Sequence, residues 1–211
     1  MLNGQDGAAN TYYLSALPVS HKNFSDIKDY SDLGIWHKKV MSFFPDNIAI
    51  DKDKSRLAGD ILFRLELDNT TPRILVQSYI PFISDGVKSI PLDTLLKTLD
   101  NNMNIIFQFE SNFVKRDPKT RKLHGLNKKE IEERILGKDG QDTVLLGLEN
   151  VAIFDIMKKK DLNYNGIALN MYNIKGRAKI SNIDQLQNSI LKGLGKTKAY
   201  GCGLLSILPN G

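Results

Sequence analysis

One histidine in this chain is placed to do acid–base chemistry. His37 sits in a segment where Leu33, Trp36, Val40 and Phe44 recur at steps of three and four, the period of an amphipathic helix. Leu33 lies four residues before it and Val40 three after, so the imidazole falls at the border of the apolar stripe. An imidazole with an ordinary pKa of about 6.5 takes or gives a proton near neutrality. Lys38 and Lys39 follow directly, and cations so placed can offset charge on a phosphate in a transition state. The alternative is a boundary histidine satisfied by its packing.

Two further segments carry residue types suited to phosphate. The tail from Gly193 to Leu205 holds Gly193, Gly195, Gly201 and Gly203 around Lys196 and Lys198. It is not a Walker A loop: the required earlier glycine is Ile190, and helix precedes strand rather than following it. Lys198 at the third glycine position excludes the dinucleotide fingerprint as well. What remains is a loop whose glycines admit close backbone approach and whose N–H groups and lysines would cradle phosphate, or else a helix cap followed by a tight return into a strand. The second segment, Val114–Leu123, carries Lys115, Arg116, Lys119, Arg121 and Lys122 against Asp117, with a turn at Asp117-Pro118. Its size and polarity suit a hairpin lying along a nucleic-acid backbone; the alternative is a solvated turn.

Other chemistries are excluded by spacing. Asp51-Lys-Asp-Lys-Ser55 resembles the start of a calcium loop, but Arg56 replaces the glycine and Leu62 the closing glutamate. His21, His37 and His124 are far apart, with no HExxH or Cys/His pairing, so no metal site and no cofactor is expected. Cys202, the single cysteine, reads as a small buried residue among glycines, and one cysteine fits a reducing, cytoplasmic setting. No run approaches 18 uninterrupted apolar residues, so no membrane span is expected. The polar stretch Met1–Asn10 reads as a flexible leader.

Charge divides the chain of 211 residues. Residues 1–100 carry 11 Lys and Arg against 13 Asp and Glu, and residues 101–211 carry 18 against 11, giving −2 and +7 within a total of +5. A basic excess confined to one half suggests a polyanion surface there; the alternative is a solvated basic face with no partner.

The elements that must position these groups follow from periodicity. Thr11–Val19 reads as a strand, Asp29–Phe44 as a helix stopped by Pro45, Asp60–Leu67 and Arg73–Ile80 as strands around a polar turn, and Pro91–Asp100 as a helix opened by its proline. Asn104–Val114, Val151–Met157, Gly166–Ile180 and Leu204–Leu208 read as strands. Asn127–Leu136 is a helix with Asn127 as N-cap and Glu130 three residues on, and Ile183–Leu191 a helix ended by Gly193. Two β-α-β-β-α-β units account for nearly every residue. The expectation is an α+β protein of two tandem ferredoxin-like domains: a leader at 1–10, an N-terminal domain at 11–100 with the helix of His37, and a basic C-terminal domain at 101–211 with the glycine-rich loop.

Taken together, these segments resemble the CasE family, the CRISPR RNA-processing endoribonucleases of type I-E Cascade within the RAMP superfamily. The resemblance runs from Tyr12 to Pro209 and is most specific over LKGLGKTKAYGCGLLSILP, Leu191 to Pro209. Tyr12-Tyr-Leu-Ser15, Phe43-Phe-Pro45, Asp60-Ile-Leu-Phe63 and Leu75-Val-Gln-Ser78 accompany it. It implies metal-independent cleavage at the 3′ base of a CRISPR repeat stem-loop, by 2′-hydroxyl attack that leaves a 2′,3′-cyclic phosphate and a 5′-hydroxyl. It further implies retention of the product as a Cascade subunit, with the repeat hairpin and other Cascade subunits as partners. Counting back eight residues from Pro45, as the family pattern requires, reaches His37. The family's usual tyrosine three residues before that histidine is here Gly34, a departure that leaves a non-catalytic hairpin-binding scaffold as the alternative. On this reading Lys115, Arg116, Lys119, Arg121 and Lys122 hold the stem, Lys196 and Lys198 hold backbone near the glycine loop, and Lys38 and Lys39 stabilise phosphate charge.

Overall fold

Two four-stranded antiparallel sheets organise the chain. The computed structural model of the protein describes residues 11–20, 24–45, 61–67, 71–80, 87, 89–137, 145–159, 162–195, 198 and 201–210. The first half contains β1 (Tyr13–Pro18), α1 (Leu33–Met41), β2 (Leu62–Glu66), β3 (Arg73–Ser78), β4 (Ser89–Pro91) and α2 (Leu92–Leu96). Its strands lie in the order β2-β3-β1-β4. The second half contains β5 (Asn104–Asn112), β6 (Val114–Arg116), β7 (Leu123–Gly125), α3 (Lys128–Leu136), β8 (Leu148–Lys158), β9 (Asn163–Tyr164), β10 (Ile167–Ala168), β11 (Met171–Ile180), α4 (Ile183–Lys192) and β12 (Ser206–Pro209). Its main sheet has the order β12-β5-β11-β8, so each sheet places its first and third long strands side by side at the centre. The protein is α+β, with two tandem ferredoxin-like folds.

The second sheet follows from alternation. Ile105, Phe107 and Phe109 of β5 point to one face and are buried, in one cluster with Ile131 and Ile135 of α3 and Leu186 and Ile190 of α4. A Cβ at Gly176 of β11 would stand 2.4 Å from the Phe107 ring, so only glycine lets that ring lie across its neighbour. Both long helices carry the predicted caps. Asn127 Oδ1 accepts from Glu130 N–H while Glu130 Oε2 accepts from Asn127 N–H, a reciprocal capping box. At the end of α4, Gly193 takes a positive φ of 69°.

Three sequence expectations need correction. A three-residue edge strand, β4, precedes α2, and Pro91 ends it instead of opening the helix; Pro91 occupies the N-cap position. An edge position tolerates its missing N–H, and β4 is antiparallel to β1 with Tyr13 opposite Pro91. The expected strand Gly166–Ile180 is two pieces in different sheets. Between them the Asn170 side chain donates to the carbonyls of Phe113 and Leu126, at 2.8 and 3.3 Å, which draws the chain out of the ladder. The helix expected over Asp29–Phe44 begins at Leu33, because Asp32 caps it with a side-chain oxygen 2.8 Å from Gly34 N.

The two halves share a core. Trp36, Phe24, Phe63, Leu33 and Val40 pack under the first sheet together with Met171 and Cys202 from the second half, and Leu204 joins Leu62 and Leu75. Polar side chains cross the same boundary. Gln77 Nε2 donates to the carbonyls of Ile190 and Leu191 at 2.9 and 3.1 Å, satisfying acceptors that the end of α4 leaves open. Arg64, only 2% exposed, donates to Glu66 at 2.6 Å and to the carbonyls of Gln108 and Leu204 at 3.2 and 3.3 Å.

Candidate active site

His37 stands on α1 with Leu33, Trp36 and Val40 buried around it. Its own ring is half-buried and stacks 6.3 Å from the ring of Phe63 at an interplanar angle of 27°. Burial disfavours the imidazolium and lowers the pKa below the ordinary 6.5. At neutral pH the ring is therefore uncharged and carries a free nitrogen lone pair, the form that accepts a proton.

Phe63 links this histidine to the glycine-rich loop. A Cβ at Gly201 (φ +73°) would come within 2.9 Å of the Phe63 ring, so the loop backbone lies directly on it. Gly203 (φ +87°) leaves no room for a side chain either, since its Cβ would stand 2.5 Å from the Leu194 carbonyl. Leu194 N–H donates to Gly203 O at 2.8 Å, and Gly203 N–H to Glu110 O at 2.9 Å. Gly193 and Gly195 also have positive φ. His37, Phe63 and the loop thus form one continuous arrangement, although 164 residues separate His37 from Gly201 in sequence.

Beside it opens a cleft of about 410 Å³ between the halves, lined by Leu33, Leu65, Met171, Gly201 and a buried polar group of Glu110, Lys159 and Asn173. Lys159 Nζ lies 2.9 Å from Glu110 Oε1 and donates to Leu65 O at 2.9 Å. Asn173 Nδ2 donates to Glu110 at 3.1 Å. Burial pushes the Glu110 carboxyl up, against the opposing pull of the Lys159 ammonium. None of these residues stands out in the sequence, nor does Phe63. The available signal is Arg64 and Glu66 set two apart within the otherwise apolar run DILFRLEL, a strand whose two faces are both buried.

The remaining site residues fall as follows. Lys38 is exposed on α1, and Lys39 is held by Asp26 at 2.9 Å. Tyr30 packs its ring on Trp36. A Cβ at Gly34 would meet Asn165 Oδ1 at 2.5 Å, because the β9–β10 turn docks on the start of α1. There Asp32 Oδ1 also accepts from Asn165 N–H, and Asn163 N–H donates to Ser31 O. That docking accounts for the small residue at 34. The basic segment forms the β6–β7 hairpin. Its turn is held by Asp117, whose carboxylate accepts from the Thr120 and Lys119 amides and is held below its usual pKa by them. Arg116, Lys119, Arg121 and Lys122 are exposed. Lys115 is paired with Glu130 of the capping box. Lys198 donates to Lys192 O at the end of α4. Lys196, His21, the 51–55 segment and the first ten residues lie outside the described residues. Cys202 is fully buried, its Sγ 3.2 Å from Met171 Sδ. Among the described residues no group of three His, Cys, Asp or Glu is gathered as metal ligands would be, and no helix is long and apolar enough to cross a membrane.

The fold recurs in known structures. Thermus thermophilus Cse3, bound to an RNA representing a pre-cleavage complex, matches with a TM-score of 0.67 and 20% identity over 94% of this chain and 100% of its own. Cas6e from Escherichia coli K-12 matches at 0.59 with 19% identity, over 94% and 100%. A chain of a CRISPR RNA-guided surveillance complex in a pre-nicking state matches at 0.59 with 22% identity, over the same shares. No curated protein sequence matches. A family model described as CRISPR associated protein matches residues 12–209, nearly the whole length over which the two sheets, the helix of His37 and the glycine loop are built. The chain belongs to the CRISPR associated protein family.

Proposed function

We propose that the protein is an endoribonuclease that cuts CRISPR precursor RNA at the 3′ base of the repeat stem-loop and stays bound to the product as a Cascade subunit. The observation that carries the reading is the uncharged, half-buried His37 beside Phe63 and the glycine loop, in a member of this family. The solved relatives support it by their own states: one Cse3 holds a pre-cleavage RNA, and another chain belongs to an RNA-guided surveillance complex.

His37 takes the proton of the 2′-hydroxyl next to the scissile phosphate. The oxygen attacks phosphorus in line, the bond to the 5′-oxygen breaks, and that oxygen takes a proton from water, so that the products are a 2′,3′-cyclic phosphate and a 5′-hydroxyl. Loop amides other than that of Gly203, which serves Glu110 O, and the exposed ammonium of Lys38 offset charge on the nonbridging oxygens. The exposed cations of the β6–β7 hairpin grip the stem, since duplex RNA offers phosphates and shape rather than readable major-groove edges.

The test is purified protein and a repeat hairpin, with no other subunit present and in excess EDTA. Wild type cuts, while His37→Ala loses about 10²- to 10⁴-fold in rate and keeps hairpin affinity within a few fold. Wild-type rates from the variant would remove His37 from the chemistry. Loss of wild-type cleavage in EDTA would move the mechanism to a metal. Gly34, where the resemblance calls for tyrosine, favours the second reading, a hairpin-binding scaffold without catalysis; tight binding by wild type with no cut product would establish it.

A further inference from the structure

The second sheet has a face that no helix among the described residues covers. Helices α3 and α4 pack on the side of Ile105, Phe107 and Phe109. The opposite side presents Asn104, Ile106 and Gln108 of β5 beside Lys179, Arg177 and Lys175 of β11, their partners in register. Two adjoining hollows of about 280 and 500 Å³ open on it, and both are lined by Arg177 and Asn210. The floor is Ile106 and Ala152, and Phe154 stands at the rim, 60% exposed. Phe154 falls where the register of β8 against β11 shifts between Lys175 and Gly176, and such a bulge re-aims a side chain. Arg177 is exposed and forms no ion pair among the described residues.

The same face continues to the cleft beside His37. Asn173 and Glu110, which line that cleft, are a register pair four residues along from Arg177 and Ile106, a distance of about 13 Å at strand rise. A chain leaving the cleft therefore has a track past Gln108 and Lys175 to the Arg177 groove.

We infer that this groove binds single-stranded RNA adjoining the hairpin, an inference that rests on the RNA-processing reading above. The chemistry favours a nucleic acid over a protein. An unpaired guanidinium suits a phosphate. An exposed ring on a shallow apolar floor offers a stacking surface that every base can use. The side-chain amides of Asn104, Asn150 and Asn210 both donate and accept, as base edges do.

The test uses fluorescence anisotropy with three RNAs, each 2′-deoxy at the cleavage position: a blunt repeat hairpin, and the same hairpin with about six unpaired nucleotides on its 5′ or its 3′ side. Wild type should bind one extended RNA about tenfold more tightly than the blunt one. Arg177→Ala and Phe154→Ala, both exposed changes, should remove that gain and leave blunt-hairpin affinity within twofold. A gain that persists in both variants, or an extension that adds less than twofold in wild type, would overturn the groove while leaving hairpin processing intact. Variants that keep the gain but no longer co-purify with other complex subunits would give the face to a protein and overturn it as well. No binding of the blunt hairpin by wild type would be a failure of the processing reading instead.

Discussion

Replacing Lys159 by methionine is expected to loosen the join between the halves in a pH-dependent way. Lys159 follows β8 and holds Glu110 of β5 at 2.9 Å and the Leu65 carbonyl of β2 at 2.9 Å. Glu110 is 2% exposed, and burial already pushes its carboxyl up. Without the ammonium it must stay ionised in the interior or take up a proton. Uptake at pH 7 by a group whose ordinary pKa is 4.5 costs about 3.4 kcal/mol, which caps the contribution of Glu110. At pH 5 the same uptake costs about 0.7 kcal/mol. The lost bond to Leu65 O adds about 1 kcal/mol at either pH. The sign follows from a folded-state pKa above the unfolded one: the folded state keeps a proton that the unfolded chain releases, so stability falls as pH rises from 4.5. Wild type shows the same trend more weakly, because Lys159 draws the carboxyl back down. Lys159→Met should therefore cost up to about 4 kcal/mol at pH 7 and less than half of that at pH 5. Adding Glu110→Gln should recover most of the pH 7 loss. Urea unfolding followed by the fluorescence of Trp36, the only tryptophan and fully buried, measures both. Equal losses at the two pH values, or no recovery in the double variant, would refute the claim that Lys159 acts by balancing the Glu110 charge.

Other outcomes follow from the same geometry. Because burial lowers the His37 pKa, the acid limb of the cleavage rate should have its midpoint below 6.5; a midpoint above 6.5 would refute the lowered pKa, and a rate that instead rises as pH falls through this range would mean that the protonated ring is the one required. The same lowered pKa makes the unfolded chain bind the extra proton first, so His37 withdraws stability as pH falls below 6.5, and His37→Gln should flatten that part of a thermal-unfolding profile. Gly203→Ala meets a backbone carbonyl at 2.5 Å with φ at +87° and should cost more than about 2 kcal/mol. Gly34→Ala meets the movable tip of Asn165 and should cost less than about 1 kcal/mol; paired melting curves compare them. Neutralising Arg116, Lys119, Arg121 and Lys122 should flatten the salt dependence of hairpin binding by about one unit of log–log slope for each phosphate left without its cation, and Lys115→Ala should do less because that ammonium already serves Glu130.

Much of this fold is legible in sequence where periodicity and capping agree. The second unit is the clearer: Asn127 with Glu130 marks one helix, Gly193 ends the other, and β5 alternates cleanly. The first unit is harder because β4 has only three residues and ends in a proline, which reads as a helix start. Local pattern also places His37 correctly at the edge of an apolar stripe, since helix geometry fixes its neighbours. It could not reveal what His37 faces. Phe63, Gly201 and the Arg64 contacts come from strand packing between distant segments, and a buried arginine in a strand gives no sign of which carbonyls it will reach.

The docking of the β9–β10 turn on Asp32 has a consequence for biosynthesis. Among the described residues, Asp32 accepts a second N–H from Asn165 and Ser31 O is met by Asn163 N–H, and both asparagines leave the ribosome more than a hundred residues after the helix they steady. A nascent chain holding just the amino-terminal sheet would keep the Asp32 cap on Gly34 but lack the docked turn, with Phe63 still bare of the late glycine segment. On the proposed reading, the cleavage centre is assembled only after the glycine segment has been made, so a chain that stops before it should not cut RNA.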